Sequence, residues 1–414
     1  MKFDQYSISD TLKENINQLG FKKPTDIQFK AIPHILKGED ILAIAQTGTG
    51  KTAAFAIPTI DNVMKNKIKG RADGVKCLVM APTHELAIQI EGVYKSLLKK
   101  TKLKSLGIHG GVDQDPQIAT LDKGVDILVA TPGRMFDLVS QGALKLHRVE
   151  ILVLDEADHM LDLGFIKDIQ DLIKHLPKKR QTLFFSATIN ERIKKLAYSI
   201  VSKPIRIQVS PKNPVAKNIE HGVAFIEMDD KRFFLENLIN NHPDSKMLVF
   251  VRTKVRAERV KKAMERVDIV TDSIHSDKDQ QERDKVMSAF RKGDLKILIA
   301  TDVSARGIDI PNVDYVVNYD MPESSENYVH RVGRTGRGKL KGQALSFCSE
   351  QELENLGEIE ANLTEPIARL EIDASDYQYT LDISEDKAPS WQALMKEAEQ
   401  EQQSFTKKRK KKKK

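Results

Sequence analysis

The chain has 414 residues and a formal net charge of +7, and nearly all of that charge lies at one end. Residues 407–414 carry eight positive charges, and subtracting these eight from +7 leaves −1 for residues 1–406. No apolar run approaches the roughly 18 residues of a membrane span, and the N-terminus lacks the apolar core of a signal peptide. Cys77 and Cys348 stand far apart in apolar runs, which predicts two buried thiols in a cytoplasmic protein rather than a disulfide or a metal site.

Short apolar runs alternate with amphipathic stretches along the first half of the chain. The predicted strands are residues 40–45, 77–82, 126–130, 151–154 and 182–185. The predicted helices between them include residues 85–99 and 190–201. This alternation favours an α/β fold in which a parallel sheet is covered by helices on both faces.

A second series of the same kind follows in the second half. Its predicted strands are residues 247–251, 296–300 and 313–318, and its predicted helices are residues 255–267 and 280–292. Residues 209–218 contain two prolines and no apolar period, which predicts a linker between two domains.

The C-terminal extension has a different composition. Residues 371–406 carry −7 and few apolar side chains, and the basic block at residues 407–414 follows them. Such a segment cannot bury enough apolar surface to fold, so residues 371–414 are predicted to be mostly disordered. A short helix around residues 390–402 is the exception that the pattern allows.

A phosphate-binding loop is predicted at residues 45–52, which read AQTGTGKT. The segment follows a predicted strand and opens a predicted helix, which is the context that such a loop needs. Gly48 and Gly50 let backbone N–H groups turn toward phosphates, Lys51 would reach the β- and γ-phosphates, and Thr52 would reach Mg²⁺. Alanine stands at position 45, where the strict motif has glycine. The alternative is a glycine-rich turn without a ligand.

An acidic tetrapeptide, Asp155-Glu156-Ala157-Asp158, stands at the end of the apolar run 151–154. Carboxylates at the carboxyl edge of a parallel sheet face the crevice in which ligands bind. We assign Asp155 to Mg²⁺, through its water shell, and Glu156 to the attacking water. Read alone, such a tetrapeptide is more often a helix start, but its position after a phosphate loop favours the catalytic interpretation.

Residues 330–337 read HRVGRTGR and contain three arginines and two glycines. Arginine forks suit anions, and arginine fingers stabilise the charge that spreads over the γ-phosphate during transfer. If these arginines serve the loop at residues 45–52, they come from the other domain, and catalysis requires the two domains to close. The alternative is a solvated basic helix, which the glycines disfavour.

Three further segments complete a family pattern: residues 20–28 (GFKKPTDIQ), residues 186–188 (SAT) and residues 306–309 (RGID). Together with the motifs above they resemble the DEAD-box ATP-dependent RNA helicases of superfamily 2. The resemblance runs from Phe3 to about Leu370, and the order of its segments looks closest to the bacterial RhlE-type branch.

This resemblance implies a domain layout. It is an α/β fold of two tandem RecA-like domains, each a parallel sheet with helices on both faces. The first domain would be residues 1–208, with the phosphate loop and the acidic tetrapeptide, and the second would be residues 219–370. Residues 209–218 would be the linker, and residues 371–414 the tail.

The resemblance also implies a nucleotide site. Gln28 would read the adenine edge, because a glutamine amide offers both the donor and the acceptor that N6 and N7 of adenine need. Phe3 would stack near the base, and Asp309 would bind the ribose. The residues implied to bind ATP are Phe3, Gln28, Ala45, Gln46, Thr47, Gly48, Thr49, Gly50, Lys51, Thr52, Gly307 and Asp309.

Catalytic and coupling roles follow from the same resemblance. The residues implied to be catalytic are Lys51, Asp155, Glu156, Arg334 and Arg337, of which the last two would be the arginine fingers. Mg²⁺ would be held by Thr52 and Asp155, largely through water. The residues implied to couple hydrolysis to strand separation are Ser186, Thr188, Asp158 and His330.

The implied RNA surface consists mainly of small residues and backbone N–H groups. Its members are Pro82, Thr83, His84, Gly110, Gly111, Thr131, Pro132, Gly133, Arg134, Arg252, Thr253, residues 280–283, Thr301 and Asp302. Such residues suit contact with phosphate and the 2′-hydroxyl rather than base reading. Two positions depart from the family: His84 stands where arginine is usual, and Ser276 stands where glycine is common. A neutral imidazole lacks a permanent cation, so RNA contact at His84 is expected to be weaker or pH-sensitive.

The predicted function is an ATP-dependent RNA helicase that couples RNA-stimulated hydrolysis to local opening of short duplexes or to RNA–protein remodelling. It is predicted to act as a cytoplasmic monomer, with residues 407–414 as an RNA tether that the acidic segment could mask. A solvated tail without a role is the alternative for that block. Other classes remain open: an ATP-dependent RNA clamp, a DNA-directed motor, and a non-enzymatic RNA-binding protein, which the presence of Lys51, Glu156 and Arg334 disfavours.

Overall fold

The computed structural model describes residues 2–46, 48–66, 74–209, 215, 218–302, 313–336 and 341–384. They form two compact units, each built on a seven-stranded sheet whose strand pairs are all parallel. The α/β prediction is confirmed. Among the helices of these residues, none has the length and apolar character that a membrane crossing needs.

Unit 1 contains the first seven strands and nine described helices. Its strands are β1 (Ile41–Ala45), β2 (Cys77–Met80), β3 (Ser105–Ile108), β4 (Ile127–Ala130), β5 (Ile151–Leu154), β6 (Gln181–Ser186) and β7 (Ile205–Val209), in the sheet order β3-β4-β2-β5-β6-β1-β7. Its helices are α1 (Asp10–Gln18), α2 (Asp26–Leu36), α3 (Lys51–Asn66), α4 (His84–Leu97), α5 (Asp115–Asp122), α6 (Pro132–Ser140), α7 (Ala157–Asp162), α8 (Ile166–His175) and α9 (Glu191–Ile200).

The sheet of unit 1 separates two apolar cores. Along β1, Ile41 and Ala43 face the core that α1 to α4 cover, whereas Leu42 and Ile44 face the core that α6 to α9 cover. Because successive side chains of a strand point to opposite faces, a strand buried on both sides must be apolar throughout. This explains why the inner strands were visible in the sequence as unbroken apolar runs.

Unit 2 repeats the arrangement with strands and helices from the second half. Its strands are β8 (Ile219–Phe225), β9 (Met247–Phe250), β10 (Thr271–Ile274), β11 (Ile297–Ala300), β12 (Tyr315–Asn318), β13 (Gly342–Cys348) and β14 (Ala368–Leu370), in the sheet order β10-β11-β9-β12-β13-β8-β14. Its described helices are α10 (Lys231–Asn241), α11 (Lys254–Glu265), α12 (Gln280–Lys292), α13 (Ser325–Val332), α14 (Leu353–Glu360) and α15 (Ala374–Asp382).

The predicted disorder from residue 371 onward is wrong for the first part of that segment, because α15 packs on unit 2. The Tyr377 hydroxyl donates to Asp230 Oδ2 at 2.8 Å and accepts from the Glu227 N–H at 3.1 Å. Its ring centroid lies 4.8 Å from that of Phe234. Tyr377 thus makes both apolar and polar contacts with unit 2, although the sequence around it is acidic and poor in apolar residues.

Other expectations concern residues outside the described part of the chain. These are most of the linker at residues 209–218, the allowed helix at residues 390–402 and the basic block at residues 407–414.

Candidate active site

The phosphate loop has the predicted context, because β1 ends at Ala45 and α3 begins at Lys51. Gly48 and Gly50 have φ values of 80° and 90°, in the left-handed region that glycine adopts without strain. A Cβ atom on Gly50 would lie 2.5 Å from Gln28 Nε2, so any side chain there would displace the Gln28 amide. The Thr49 hydroxyl closes the turn by donating to the Gln46 carbonyl at 2.7 Å. Thr47 lies outside the described residues.

Gln28 connects the predicted adenine-reading segment to the phosphate loop. Its Oε1 accepts from the Thr25 N–H at 3.0 Å at the start of α2, and its Nε2 donates to the Gly50 carbonyl at 3.1 Å. Both ends of the amide are therefore engaged in the ligand-free chain. Adenine reading by Gln28 stays a prediction, and it requires the amide to share or exchange one of these bonds.

Phe3 lies inside the core rather than on the surface. Its side chain is 2% exposed, and its ring centroid lies 6.3 Å from that of Phe21 and 6.0 Å from that of Tyr6. This aromatic packing anchors the N-terminal segment against Phe21, which lies in the predicted adenine-reading segment. Stacking of Phe3 near a base stays a prediction.

Lys51 carries a buried positive charge that faces the acidic tetrapeptide. The residue is 6% exposed, and within the described part of the chain its Nζ has no hydrogen-bond acceptor. Burial raises the pKa of Asp155 to about 6, and the Lys51 ammonium opposes this rise. A buried ammonium without an acceptor and a desolvated carboxylate are both costly, so the site favours an incoming anion and an incoming cation.

Asp155 and Glu156 leave β5 at the carboxyl edge of the sheet. The Asp155 N–H still donates to the Met80 carbonyl at 3.1 Å, and Asp155 Oδ1 accepts from the Glu156 N–H at 3.0 Å. Glu156 then adopts φ 50° and ψ 50°, a left-handed conformation that costs a non-glycine residue about 1 kcal/mol or more. Such strain concentrates at functional sites, and here the strained residue is the one whose carboxylate was assigned to the attacking water.

Mg²⁺ is the metal that the resemblance implies, and the residues present fit it in one way. Thr52 lies in the first turn of α3, and Asp155 supplies a buried carboxylate. Across the described residues, no group of three or more histidine, cysteine or carboxylate side chains could hold a metal ion by itself. Mg²⁺ retains water and takes phosphate oxygens readily, so these two side chains suffice for a metal that arrives with a nucleotide.

Asp158 joins the acidic tetrapeptide to the segment after β6. Its Oδ2 accepts from the backbone N–H groups of Ala187 and Thr188, both at 3.0 Å, and from the Thr188 hydroxyl at 3.1 Å. Ser186 is fully buried, and in the described part of the chain its hydroxyl has no partner. Two predicted coupling residues of unit 1, Asp158 and Thr188, are thus in direct contact, and Asp158 belongs to the same tetrapeptide as the predicted catalytic residues.

Predicted RNA-contact segments lie where a strand ends and a helix begins. Thr83 caps α4 by accepting from the Leu86 N–H at 3.3 Å, and Thr253 caps α11 by accepting from the Arg256 N–H at 3.2 Å. Thr131 precedes α6, which begins at Pro132. Helix N-termini present N–H groups and partial positive charge, which suits phosphate contact.

Two side chains bring the RNA segments of unit 1 together. A Cβ atom on Gly110 would lie 3.5 Å from His84 Nε2, and the His84 ring centroid is 5.4 Å from that of His109. Arg134 Nη2 donates to the Val112 carbonyl at 2.7 Å. Three segments that are separate in the sequence therefore form one surface.

The arginines of residues 330–337 are not equivalent. Arg331 is 2% exposed, and its Nε and Nη2 donate to the two carboxylate oxygens of Asp302 at 2.6 and 2.8 Å. Arg331 is therefore committed to holding a predicted RNA-contact residue. Arg334 is buried, and its Nε donates to the His330 carbonyl at 3.2 Å. Arg337, Gly307 and Asp309 lie outside the described residues, so their roles stay predictions.

Comparison with known proteins decides the family. The DEAD/DEAH box helicase family model matches residues 25–196, and the helicase conserved C-terminal domain model matches residues 230–339. The chain is 40% identical to the ATP-dependent RNA helicase CshA of Listeria monocytogenes over 353 residues, which are 85% of this chain and 67% of CshA. It is 41% identical to the ATP-dependent RNA helicase RhlB of Shewanella woodyi over 374 residues, which are 88% of this chain and 84% of RhlB. The chain belongs to the DEAD-box helicases.

A solved structure extends the likeness to the fold of this DEAD-box protein. Saccharomyces cerevisiae Dbp5 bound to RNA and ADP BeF3 has a TM-score of 0.79 and 30% identity, and the match covers 92% of this chain and 99% of that one. The predicted two tandem RecA-like domains are confirmed.

This DEAD-box protein also contains a buried ion network that the sequence did not reveal. Lys231, in the first turn of α10, is 0% exposed, and its Nζ pairs with Glu352 Oε2 and donates to the Tyr319 carbonyl at 2.8 Å. Glu352 is 1% exposed, and its Oε1 lies 3.1 Å from Arg252 Nη2. Asp320 Oδ2 accepts from the Arg252 N–H at 2.9 Å. The Glu352 network thus fixes a predicted RNA-contact residue through its side chain and its backbone.

The signal for this network was weak. Lys231 begins an ordinary helix, and Glu352 follows a strand, 121 positions later in the chain. Nothing in either local pattern distinguishes these two residues from solvated surface charges.

Proposed function

We propose that the chain is an ATP-dependent RNA helicase whose RNA-stimulated ATP hydrolysis opens short duplexes locally or remodels RNA–protein complexes. The named relatives are ATP-dependent RNA helicases, and the structural neighbour binds RNA and ADP BeF3. The observation that carries the proposal is the contact of Asp158 with Ala187 and Thr188, because it joins the hydrolytic tetrapeptide to the coupling segment. A phosphate-binding protein without mechanical output has no need of this connection.

The positions of the described side chains support the proposed catalytic roles. Lys51 would bind the β- and γ-phosphates, Thr52 and Asp155 would hold Mg²⁺ largely through water, and Glu156 would orient the attacking water. Bound Mg²⁺ supplies charge neutralisation at the phosphates. Arg334, with Arg337, would add positive charge from the second domain when the domains close.

The proposed RNA surface binds the backbone without reading sequence. Its segments present helix N-termini, hydroxyls and small residues, which suit phosphate and 2′-hydroxyl groups. The Arg331–Asp302 pair and the Glu352 network would hold the corresponding segments of the second domain in place.

One experiment separates the proposal from its alternatives. ATP hydrolysis and displacement of a short labelled strand are measured with RNA and with DNA of the same sequence. The proposal requires RNA-stimulated hydrolysis together with displacement. An RNA clamp would hydrolyse ATP without displacement, and a DNA-directed motor would respond at least equally to DNA.

His84 gives a sharper test of the RNA surface. Restoring the usual arginine with His84→Arg adds a permanent cation beside Gly110, so RNA affinity is expected to rise several-fold at low salt. The salt slope of log affinity should steepen by about 0.7, the value for one phosphate contact on a single strand. Filter binding across a salt series measures both quantities.

His147→Arg is the matched control, because His147 is exposed before β5, at the opposite edge of the same sheet. An equal gain in both variants would show that added charge alone, rather than contact at position 84, explains the result.

The basic block supports a further part of the proposal. If residues 407–414 tether RNA, deleting them should weaken RNA affinity at low salt but leave turnover at saturating RNA almost unchanged. If all eight charges contact phosphates, the deletion would make the slope of log affinity against log salt shallower by up to about 5 to 6, at about 0.7 per phosphate. An unchanged slope would identify the block as a solvated tail.

We also propose that the metal is Mg²⁺, that the protein is a cytoplasmic monomer, and that the domain boundaries lie at residues 208, 218 and 370. Assignment to the RhlE-type branch is a proposal as well, since the two relatives compared are of the CshA and RhlB types.

A further inference from the structure

A basic cleft lies on unit 1, away from the phosphate loop and from the RNA segments. It has a volume of about 370 Å³ and is formed by the end of α4, the segment that leads into β3, and the end of α5. Four exposed lysines line it, Lys95, Lys99, Lys104 and Lys123, and no carboxylate is among its lining residues. We refer to it as the lysine cleft.

The lysine cleft lies at the amino edge of the sheet, whereas the phosphate loop follows a carboxyl end. β3 begins at Ser105, which lines the cleft, and ends at Ile108, just before Gly110 of the proposed RNA surface. At about 3.3 Å per residue, the distance from Ser105 to Gly110 is about 17 Å. The cleft is therefore separate from the active site. An RNA strand that extends beyond the proposed RNA surface of the same unit could nevertheless reach it.

Pairing with carboxylates neutralises only part of the charge. Residues 95–104 contain five lysines and no acidic residue. Lys95 Nζ lies 2.9 Å from Glu91 Oε1, and Lys100 Nζ lies 3.7 Å from Glu14 Oε2. Both are exposed lysines, so these pairs contribute little energy and leave the ammonium groups available to a stronger anion.

The groups beside β3 add to the positive charge. Lys104 Nζ donates to the backbone carbonyl of Lys123 at 3.2 Å, which draws two lysines to the same wall. Asp126 is a buried carboxylate beside this wall, and its Oδ2 accepts from the Lys104 N–H at 2.8 Å. It offsets one positive charge, and the four lining lysines leave the cleft basic. Lysines at helix ends also stabilise helix dipoles, but that role does not require lysines from three elements to meet in one cleft.

The apolar lining residues of the cleft are Leu98, Leu103 and Val125, and all three are buried. The polar groups that a ligand in the cleft would meet are the ammonium groups and the half-buried hydroxyls of Ser105 and Thr120, and no aromatic side chain is among the lining residues. Protein partners usually bind through buried aromatic or aliphatic anchors. Lysine ammonium groups act as point charges for phosphate, which needs no such anchor.

We propose that the lysine cleft is an auxiliary binding site for the phosphate backbone of RNA that extends beyond the central RNA surface. This inference rests on the proposed function, since RNA is its ligand. The contact is independent of sequence and adds affinity for long RNA without taking part in hydrolysis.

The test is the triple variant Lys99→Ala, Lys104→Ala, Lys123→Ala. Two RNAs are compared: the shortest that fully stimulates hydrolysis, and the same RNA extended by about 10 nucleotides, ample for 17 Å at about 3.4 Å per phosphate. The extended RNA should bind the variant at least threefold more weakly at low salt. Its salt slope should fall by up to about 2, at about 0.7 per lost contact. Affinity for the short RNA and turnover at saturating RNA should not change.

The matched control removes Lys167, Lys178 and Lys179, which are exposed lysines around α8 and before β6. β6 is four strands from β3 in the sheet, so the control removes equal charge about 19 Å away. Equal losses in both triple variants would overturn the proposal, as would no loss in either. If the triple variant of the cleft loses retention on immobilised polyglutamate but keeps its RNA affinity, the cleft binds an acidic protein partner, and the proposal is overturned. If wild-type hydrolysis does not respond to RNA at all, the proposed function itself fails, which is a different outcome.

Discussion

Lys51→Ala should reduce RNA-stimulated ATP hydrolysis by at least about 100-fold, which is the usual effect of removing one preorganised group that stabilises the transition state. The Lys51 ammonium is buried, and among the described residues no acceptor satisfies it, so its charge is available for the phosphates. For the same reason its removal breaks no described hydrogen bond, and the thermal unfolding temperature should remain close to that of the wild type. Steady-state hydrolysis with and without RNA, and calorimetry of the same samples, measure the two quantities.

Lys76→Ala is the matched control for this result. Lys76 is also a largely buried lysine of unit 1, but its Nζ is paired with Glu150 Oε1 at 2.6 Å, before β5 and away from the loop. This variant should lose stability and keep its turnover per folded molecule. Full activity of Lys51→Ala, or an equal loss of turnover in Lys76→Ala, would refute the assignment of Lys51.

Glu352→Ala should destabilise the protein by about 3 kcal/mol or more, because it removes one partner of a buried ion pair. Lys231, which is 0% exposed, would keep the carbonyls of Tyr319 and Phe347, but the remaining carboxylate among its described partners is Asp320, whose Oδ1 is 4.0 Å from Nζ. Burial already lowers the pKa of Lys231, and the Glu352 carboxylate opposes that shift, so its loss leaves a charge that the interior does not tolerate. Calorimetry of the full chain should show an earlier transition for unit 2 than in the wild type.

A compensated variant separates charge from packing in this experiment. Lys231→Met combined with Glu352→Leu removes both charges and keeps similar volume, so it should recover much of the lost stability. It should still bind RNA more weakly than the wild type, because Arg252 loses the carboxylate that holds its guanidinium. Wild-type stability in Glu352→Ala alone would show that the pair has no structural role.

Most inner strands were predictable because burial on both faces favours unbroken apolar runs. Residues 151–154 were predicted with the bounds that β5 has, and β1 differs from its prediction by one residue. The edge strands β3, β7, β10 and β14 were missed because edge strands are covered less completely and tolerate polar side chains. The inner strands β8 and β13 were missed because polar residues and glycine interrupt their apolar runs. In β10, Asp272 accepts from Lys261 and Lys278 at 3.1 and 2.8 Å, contacts that exist only after folding.

The site was predictable to the extent that its residues follow strands. A parallel sheet brings the carboxyl ends of its strands to one edge, so the phosphate loop, the acidic tetrapeptide and the RNA segments could be placed together from the sequence. The hydrogen-bonded pairs that hold these segments in place could not be predicted. The bonds from Gln28 to Gly50 and from Arg331 to Asp302 depend on helix packing and register, which no local pattern contains.

The strand order also sets when each sheet can be completed during synthesis of the chain. β1, which precedes the phosphate loop, pairs only with β6 and β7, the last two strands of its unit to be made. β8 likewise pairs with β13 and β14. Contacts between such distant segments form late and cooperatively. A nascent chain therefore cannot complete the sheet that supports the phosphate loop until residue 209 has left the ribosome.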